Sequence, residues 1–147
     1  MTDERLEGKV CVVTGAAAGI GRETALAYMH EGATVHAIDR DAQALHALRT
    51  EAPALIAHVL DVTDQDAIGR FHAGLDRLDV QFNCAGVVPV GTIDDCIRDD
   101  WDRAMAINVT SIFLMMQAGV RLMAKVQGGS IINMASVISS IGGAPSR

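Results

Sequence analysis

Residues 14–21 read TGAAAGIG and directly follow a short β-branched run, VCVVT, at residues 10–14. Gly15, Gly19 and Gly21 therefore fall where a strand turns sharply into a helix. Such a turn favours residues without a Cβ, first for the bend and then for close approach of a ligand. The helix start offers unpaired N–H groups and a positive dipole end, a combination that suits a pyrophosphate. The spacing is GxxxGxG, which departs from the GxGxxG of most dinucleotide folds; a tight turn that binds nothing is the alternative. Asp39 closes the second apolar run, twenty residues after Gly19. A carboxylate there can accept hydrogen bonds from both hydroxyls of an adenosine ribose and would repel a 2′-phosphate, which favours NAD over NADP. Arg40, next to it, softens that discrimination. Capping of the following helix is the other reading of Asp39. Asp61 and Val62 end the third apolar run, and Asn83, Ala85 and Gly86 lie at the end of the fourth. Ligands of open parallel sheets bind beyond the carboxyl ends of the strands, and all these residues line up along that one edge.

The elements that must hold them there alternate without interruption. Strands are expected at 10–14, 34–38, 54–60, 78–83 and 130–134. Helices are expected at 19–30, 41–50, 64–75, 93–106 and 108–125. The strands are apolar on both faces, the pattern of a parallel sheet covered by helices on each side. The expected architecture is α/β: a doubly wound parallel sheet of Rossmann type, strand order 3-2-1-4-5. The 147 residues amount to one domain, read here as the N-terminal part of a single NAD-binding unit spanning 1–147.

Half of the residues are hydrophobic, enough for a sizeable core, and the net charge of −6 argues against a nucleic-acid or anionic-membrane surface. No apolar stretch precedes Val10, so a signal peptide is not expected. The segment from Ile107 to Val126 carries Asn108, Thr110, Ser111, Gln117 and Arg121, too many polar groups for a membrane span. Cys11, Cys84 and Cys96 form no CxxC pair and read as reduced thiols, which fits a cytoplasmic protein. The five histidines, His30, His36, His46, His58 and His72, show no HxxxH or HxH pairing and read as helix-surface or strand residues, so no metal is expected. The acidic cluster of Asp94, Asp95, Asp99, Asp100 and Asp102 reads as a solvated helix start.

Taken in order, TGxxxGIG, the acid after strand two, DV after strand three, NxAG after strand four, Asn108 and the strand-five serine Ser136 resemble the short-chain dehydrogenase/reductase family over the whole chain. Further matches include LDVT at 60–63, RLDV at 77–80, FNCAG at 82–86 and IINM at 131–134. With them the chain is similar to the cytosolic type 2 branch of 3-hydroxybutyrate dehydrogenase, whose bacterial relatives include dehydrogenases of 2-keto-3-deoxy sugar acids.

The resemblance implies hydride transfer between an NAD nicotinamide and a secondary alcohol or ketone bearing a carboxylate. It assigns the pyrophosphate to Gly15, Ala18, Gly19, Ile20 and Gly21, the adenosine ribose to Asp39, and the adenine edge to Asp61 and Val62. Asn83, Ala85 and Gly86 would border the nicotinamide-side ribose. Asn108 would hold a proton-relay water, unless it merely starts a helix. Ser136 would orient the substrate oxygen; on residue type alone it could equally cap a turn. Arg147 has the offset of a carboxylate-binding arginine, or is a solvated loop residue. The reacting Tyr-x-x-x-Lys pair would fall just beyond Arg147, since the sole tyrosine, Tyr28, sits in the first helix. The chain is therefore expected to be a truncated piece, inactive alone. A non-catalytic NAD-binding module, and a sugar, steroid or acyl-thioester substrate, remain alternatives. The long helix after Asn108 would form a homodimer or homotetramer contact, with a plain core helix as the alternative.

Overall fold

The computed structural model describes residues 4–136. Five parallel strands form one sheet in the order β3-β2-β1-β4-β5: β1 (Val10–Thr14), β2 (Thr34–Asp39), β3 (Ile56–Val59), β4 (Val80–Asn83) and β5 (Ser130–Asn133). The expected topology is present. Between the strands run α1 (Gly19–His30), α2 (Ala42–Glu51), α3 (Gln65–Ala73), and a long helical run made of α4 (Arg98–Met105) and α5 (Ser111–Met123).

Strand alternation sends successive side chains to opposite faces. On one face Cys11, Val13, Val35, Ala37 and Phe82 pack with Ala25, Leu45 and Leu48 from α1 and α2. On the other, Val12, Ile38 and Leu78 pack with Ile68, Met115, Leu122 and Met123 from α3 and α5. Asp41 caps α2 and Asp64 caps α3, each accepting from the N–H three residues on.

Three expectations change. Residues 93–97 are not helical; α4 begins at Arg98, because the segment after β4 contains Pro89 and a Gly91 with φ of +131° and does not settle into a helix before Ile97. The helices on either side of Asn108 are not separate either. They are joined by a π-helical turn, Ala106–Thr110, in which the Ser111 N–H reaches back five residues to the Ala106 carbonyl. Such insertions are frequent at functional sites. Finally, the run Arg98–Val126 is long and apolar enough to cross a membrane on length and composition, with a mean hydropathy of 1.3 in its most apolar window. Its inner face packs against the sheet and α3 through Met115, Leu122 and Met123.

Candidate active site

The glycine turn sits at the carboxyl edge of β1. Gly15 and Gly19 hold positive φ, +67° and +54°. A Cβ on Gly21 would fall 2.2 Å from the Gly15 carbonyl oxygen, and one on Gly15 would meet the Ala85 backbone at 3.0 Å. The turn thus closes on itself and on the β4 tip only with glycine at both places. Thr14 adds a brace absent from the sequence reading: its buried hydroxyl accepts from the N–H groups of Cys84 and Ala85 at 3.0 and 3.1 Å. Its position in the turn motif was the only available signal.

α1 differs from α2 and α3 at its start. Its N-cap is Ala18, with no side-chain cap bond, and its first turn carries no acidic residue. No capping side chain therefore occupies the first N–H groups.

Asp39 does not cap α2, since Asp41 does. One Asp39 carboxylate oxygen accepts from the Ala17 N–H at 3.1 Å and the other from the Asp41 N–H at 3.0 Å. The carboxylate is pinned between the glycine turn and the head of α2, on the wall of a cleft.

That cleft has two adjoining parts, both of which Gly15, Asp39, Ala85, Gly86 and Val87 line. The smaller, about 120 Å³, extends to Arg40, Leu60, Asp61, Val62 and Ile107. The larger, about 570 Å³, runs along Ala18, Gly19, Ile20 and Gly21 to Cys84, Asn108, Ile112 and Ser136. Thirteen of the fifteen residues named from sequence as site residues are thereby brought to one edge of the sheet. Asn83 is not: it is 2% exposed, with its amide turned into the protein. Arg147 lies outside the described residues.

Asp61 is exposed and forms a tight turn, accepting from the N–H and hydroxyl of Thr63. Those two bonds, helped by Arg40, hold its carboxyl below the usual range against partial burial. Asn108, inside the π turn, spends both ends of its amide on one residue: Oδ1 accepts from the Val87 N–H at 2.9 Å, and Nδ2 donates to the Val87 carbonyl at 2.8 Å. It starts no helix; it ties the loop after β4 to the long helix. Cys84 borders the cleft, and burial pushes its thiol pKa up, so it is held as the thiol.

His36 and His58 lie on strands, as expected. His36 Nδ1 lies 2.9 Å from His58 Nε2, and the rings stack across β2 and β3 with Phe71 against their edges. His72 is buried. Among the described residues no group of three His, Cys, Asp or Glu side chains is placed to hold a metal ion.

A doubly wound parallel sheet with a glycine turn and a pinned acid at the next strand is the arrangement found in dinucleotide-binding α/β folds. The cradle fits such a group: glycine where a Cβ would obstruct, a helix start with no side-chain cap, and a cleft at the carboxyl edge of the strands. Residues 9–145 match the model of the short chain dehydrogenase family, and the chain belongs to that family, whose members generally depend on NAD(P). It is 49% identical over 143 residues to 2-keto-3-deoxy-L-fuconate dehydrogenase of Xanthomonas campestris pv. campestris, covering 97% of this chain and 48% of that protein. It is 48% identical over 143 residues to dehydrogenase/reductase SDR family member 6 of Rattus norvegicus, covering 97% and 58%. The fold matches the crystal structure of a short-chain dehydrogenase/reductase from Burkholderia xenovorans with a TM-score of 0.91 at 30% identity, over 97% of this chain and 59% of that one. The chain thus spans about half the length of the relatives it matches.

Proposed function

We propose that this chain is the coenzyme-binding part of an NAD-dependent oxidoreductase acting on a carboxylate-bearing secondary alcohol or ketone, such as 3-hydroxybutyrate or a 2-keto-3-deoxy sugar acid. One observation carries the coenzyme preference: the Asp39 carboxylate is fixed by two backbone N–H groups on the cleft wall and is not spent as a helix cap. The substrate class is supported by the 49% identity to a 2-keto-3-deoxy sugar-acid dehydrogenase.

When bound, the nicotinamide supplies the hydride chemistry. The chain's own residues do the positioning. Gly19, Ile20 and Gly21 offer N–H groups to the pyrophosphate, and Asp39 accepts from the adenosine ribose. Ala85, Gly86 and Val87 form the wall that Asn108 locks in place. Ser136, which lines the larger cleft, orients the reacting oxygen.

Calorimetry of the full-length protein with NAD and NADP tests this reading. NAD is expected to bind more tightly, and Asp39→Ala to weaken NAD by about 10-fold while NADP is unchanged or improved, the loss of one charge-assisted ribose contact. Appearance of NADH with candidate hydroxy acids tests the substrate class. Absence of heat with either coenzyme would remove the proposal.

A further inference from the structure

One row of buried polar side chains is left without a role by that reading. β4 read as an apolar strand, yet Gln81 and Asn83 are 0% and 2% exposed on its inner face. Uncharged polar groups are costly there unless each is bonded, and these are bonded in series. His72 Nδ1 lies 2.9 Å from the Ile68 carbonyl oxygen and its Nε2 3.2 Å from Gln81 Oε1; both partners are acceptors, so a neutral ring donates to one of them at a time. Gln81 Nε2 donates to Asn83 Oδ1 at 3.1 Å, and Asn83 Nδ2 donates to Asn133 Oδ1 at 2.8 Å. The chain crosses from α3, through β4, to the last residue of β5. α5 makes room for it: a Cβ on Gly119 would lie 2.3 Å from Gln81 Oε1.

Its end point is what matters. Asn83 and Asn133 stand opposite each other in register, and the Met134 N–H donates to the Asn83 carbonyl. Three residues past Asn133 lies Ser136, and three past Asn83 lies Gly86, both lining the larger cleft. Parallel ladder bonds fix register but leave the tips of two short strands free to splay and twist. A side-chain bond across the tips, anchored to a buried imidazole on a helix, removes that freedom.

We propose that His72, Gln81 and Asn133 are positioning residues: through Asn83 they fix the end of β5, and with it Ser136, against the Ala85–Gly86 wall. The inference rests on the reading of Ser136 as the residue that orients the substrate oxygen. Asn133→Leu removes the acceptor at similar size, Asn133→Asp restores it, and Gln81→Met cuts the link to His72. In the full-length protein, Asn133→Leu is expected to lower kcat by about 10- to 100-fold with coenzyme Kd changed by less than about 2-fold, as for a reacting group displaced by a fraction of an ångström. Asn133→Asp recovers most of the loss. Hydrogen exchange over residues 130–136 speeds up in Asn133→Leu and Gln81→Met, while exchange in β1 stays as in the wild type. Unchanged exchange at 130–136, or faster exchange with full kcat, overturns the proposal. So does faster exchange throughout the sheet, which marks a merely structural role. Exchange is read without turnover, so a wild type inactive on every hydroxy acid counts against the functional reading and leaves the coupling to be decided separately.

Discussion

Asp79 sits one residue before β4 with 9% of its surface exposed, an expensive place for a charge unless it is fully paired. It is paired. Arg77 donates to both carboxylate oxygens at 2.7 Å, the Val10 N–H donates at 2.9 Å, and Lys9 Nζ stands 3.7 Å away. The clamp ties the start of β4 to the start of β1. The Arg77 bond first, then the Val10 and Lys9 contributions, hold the Asp79 carboxyl below the usual range despite burial. A folded-state value below the unfolded one gives stability that is present above the unfolded value and lost as pH falls through the folded value. Asp79→Asn is therefore expected to lower stability near neutral pH by about 1–2 kcal/mol, discounted because Arg77 is half exposed. It should also flatten the loss of stability below about pH 4. Urea midpoints of the full-length protein across that range check both. A mutant with the wild-type acid slope would show that the clamp contributes nothing to it.

At the scale of elements, Gly119 gives the sharpest expectation. In an exposed helix, Gly→Ala stabilises by about 1 kcal/mol. Here the new methyl would fall on the Gln81 amide. Gly119→Ala is expected instead to destabilise by about 1–3 kcal/mol, as overpacking does. Adding Gln81→Ala removes the clash, so the double mutant should cost less than the sum of the two single changes, a coupling a double-mutant cycle reads directly. Such features explain what the sequence could and could not show. The glycine turn, Asp39 and the strand order were legible because each rests on local spacing or on a repeated alternation of apolar runs. The His72–Gln81 pair was not, since it depends on α3 packing beside β4, and a single Gln inside LDVQFN looks like an outward-facing residue. Asn83 was legible as a motif residue but not in its direction. The start of α4 was missed because Thr92 followed by acidic residues imitates a helix cap; Thr92 does bond Asp95, but in a turn. The π turn has no signature in residue type at all.

For the molecule as a whole, the outer face of the long helical run is the feature that one sheet does not need. Trp101, Met105, Val109 and Phe113 recur every four residues and are all exposed, with Val120 further along. A stripe of that kind on one helix face fits a helix-to-helix contact between two copies, in keeping with the tendency of this family to form oligomers. Phe113→Glu is expected to halve the mass of the full-length protein in light scattering. None of these residues lines the proposed coenzyme cleft, so coenzyme affinity should hold. A wild type that is already a monomer would refute the contact.

The π turn at Ala106–Thr110 sets these surfaces against each other in a way a designer would meet at once. Each residue added to or removed from a helix rotates everything beyond it by about 100°. Deleting one residue from the turn would give an unbroken α-helix with better backbone bonding, yet Asn108 and the apolar stripe could no longer both keep their bearings. The extra residue works as a phase shifter. Smoothing it away to gain heat tolerance would cost either the grip on Val87 or the outward seam.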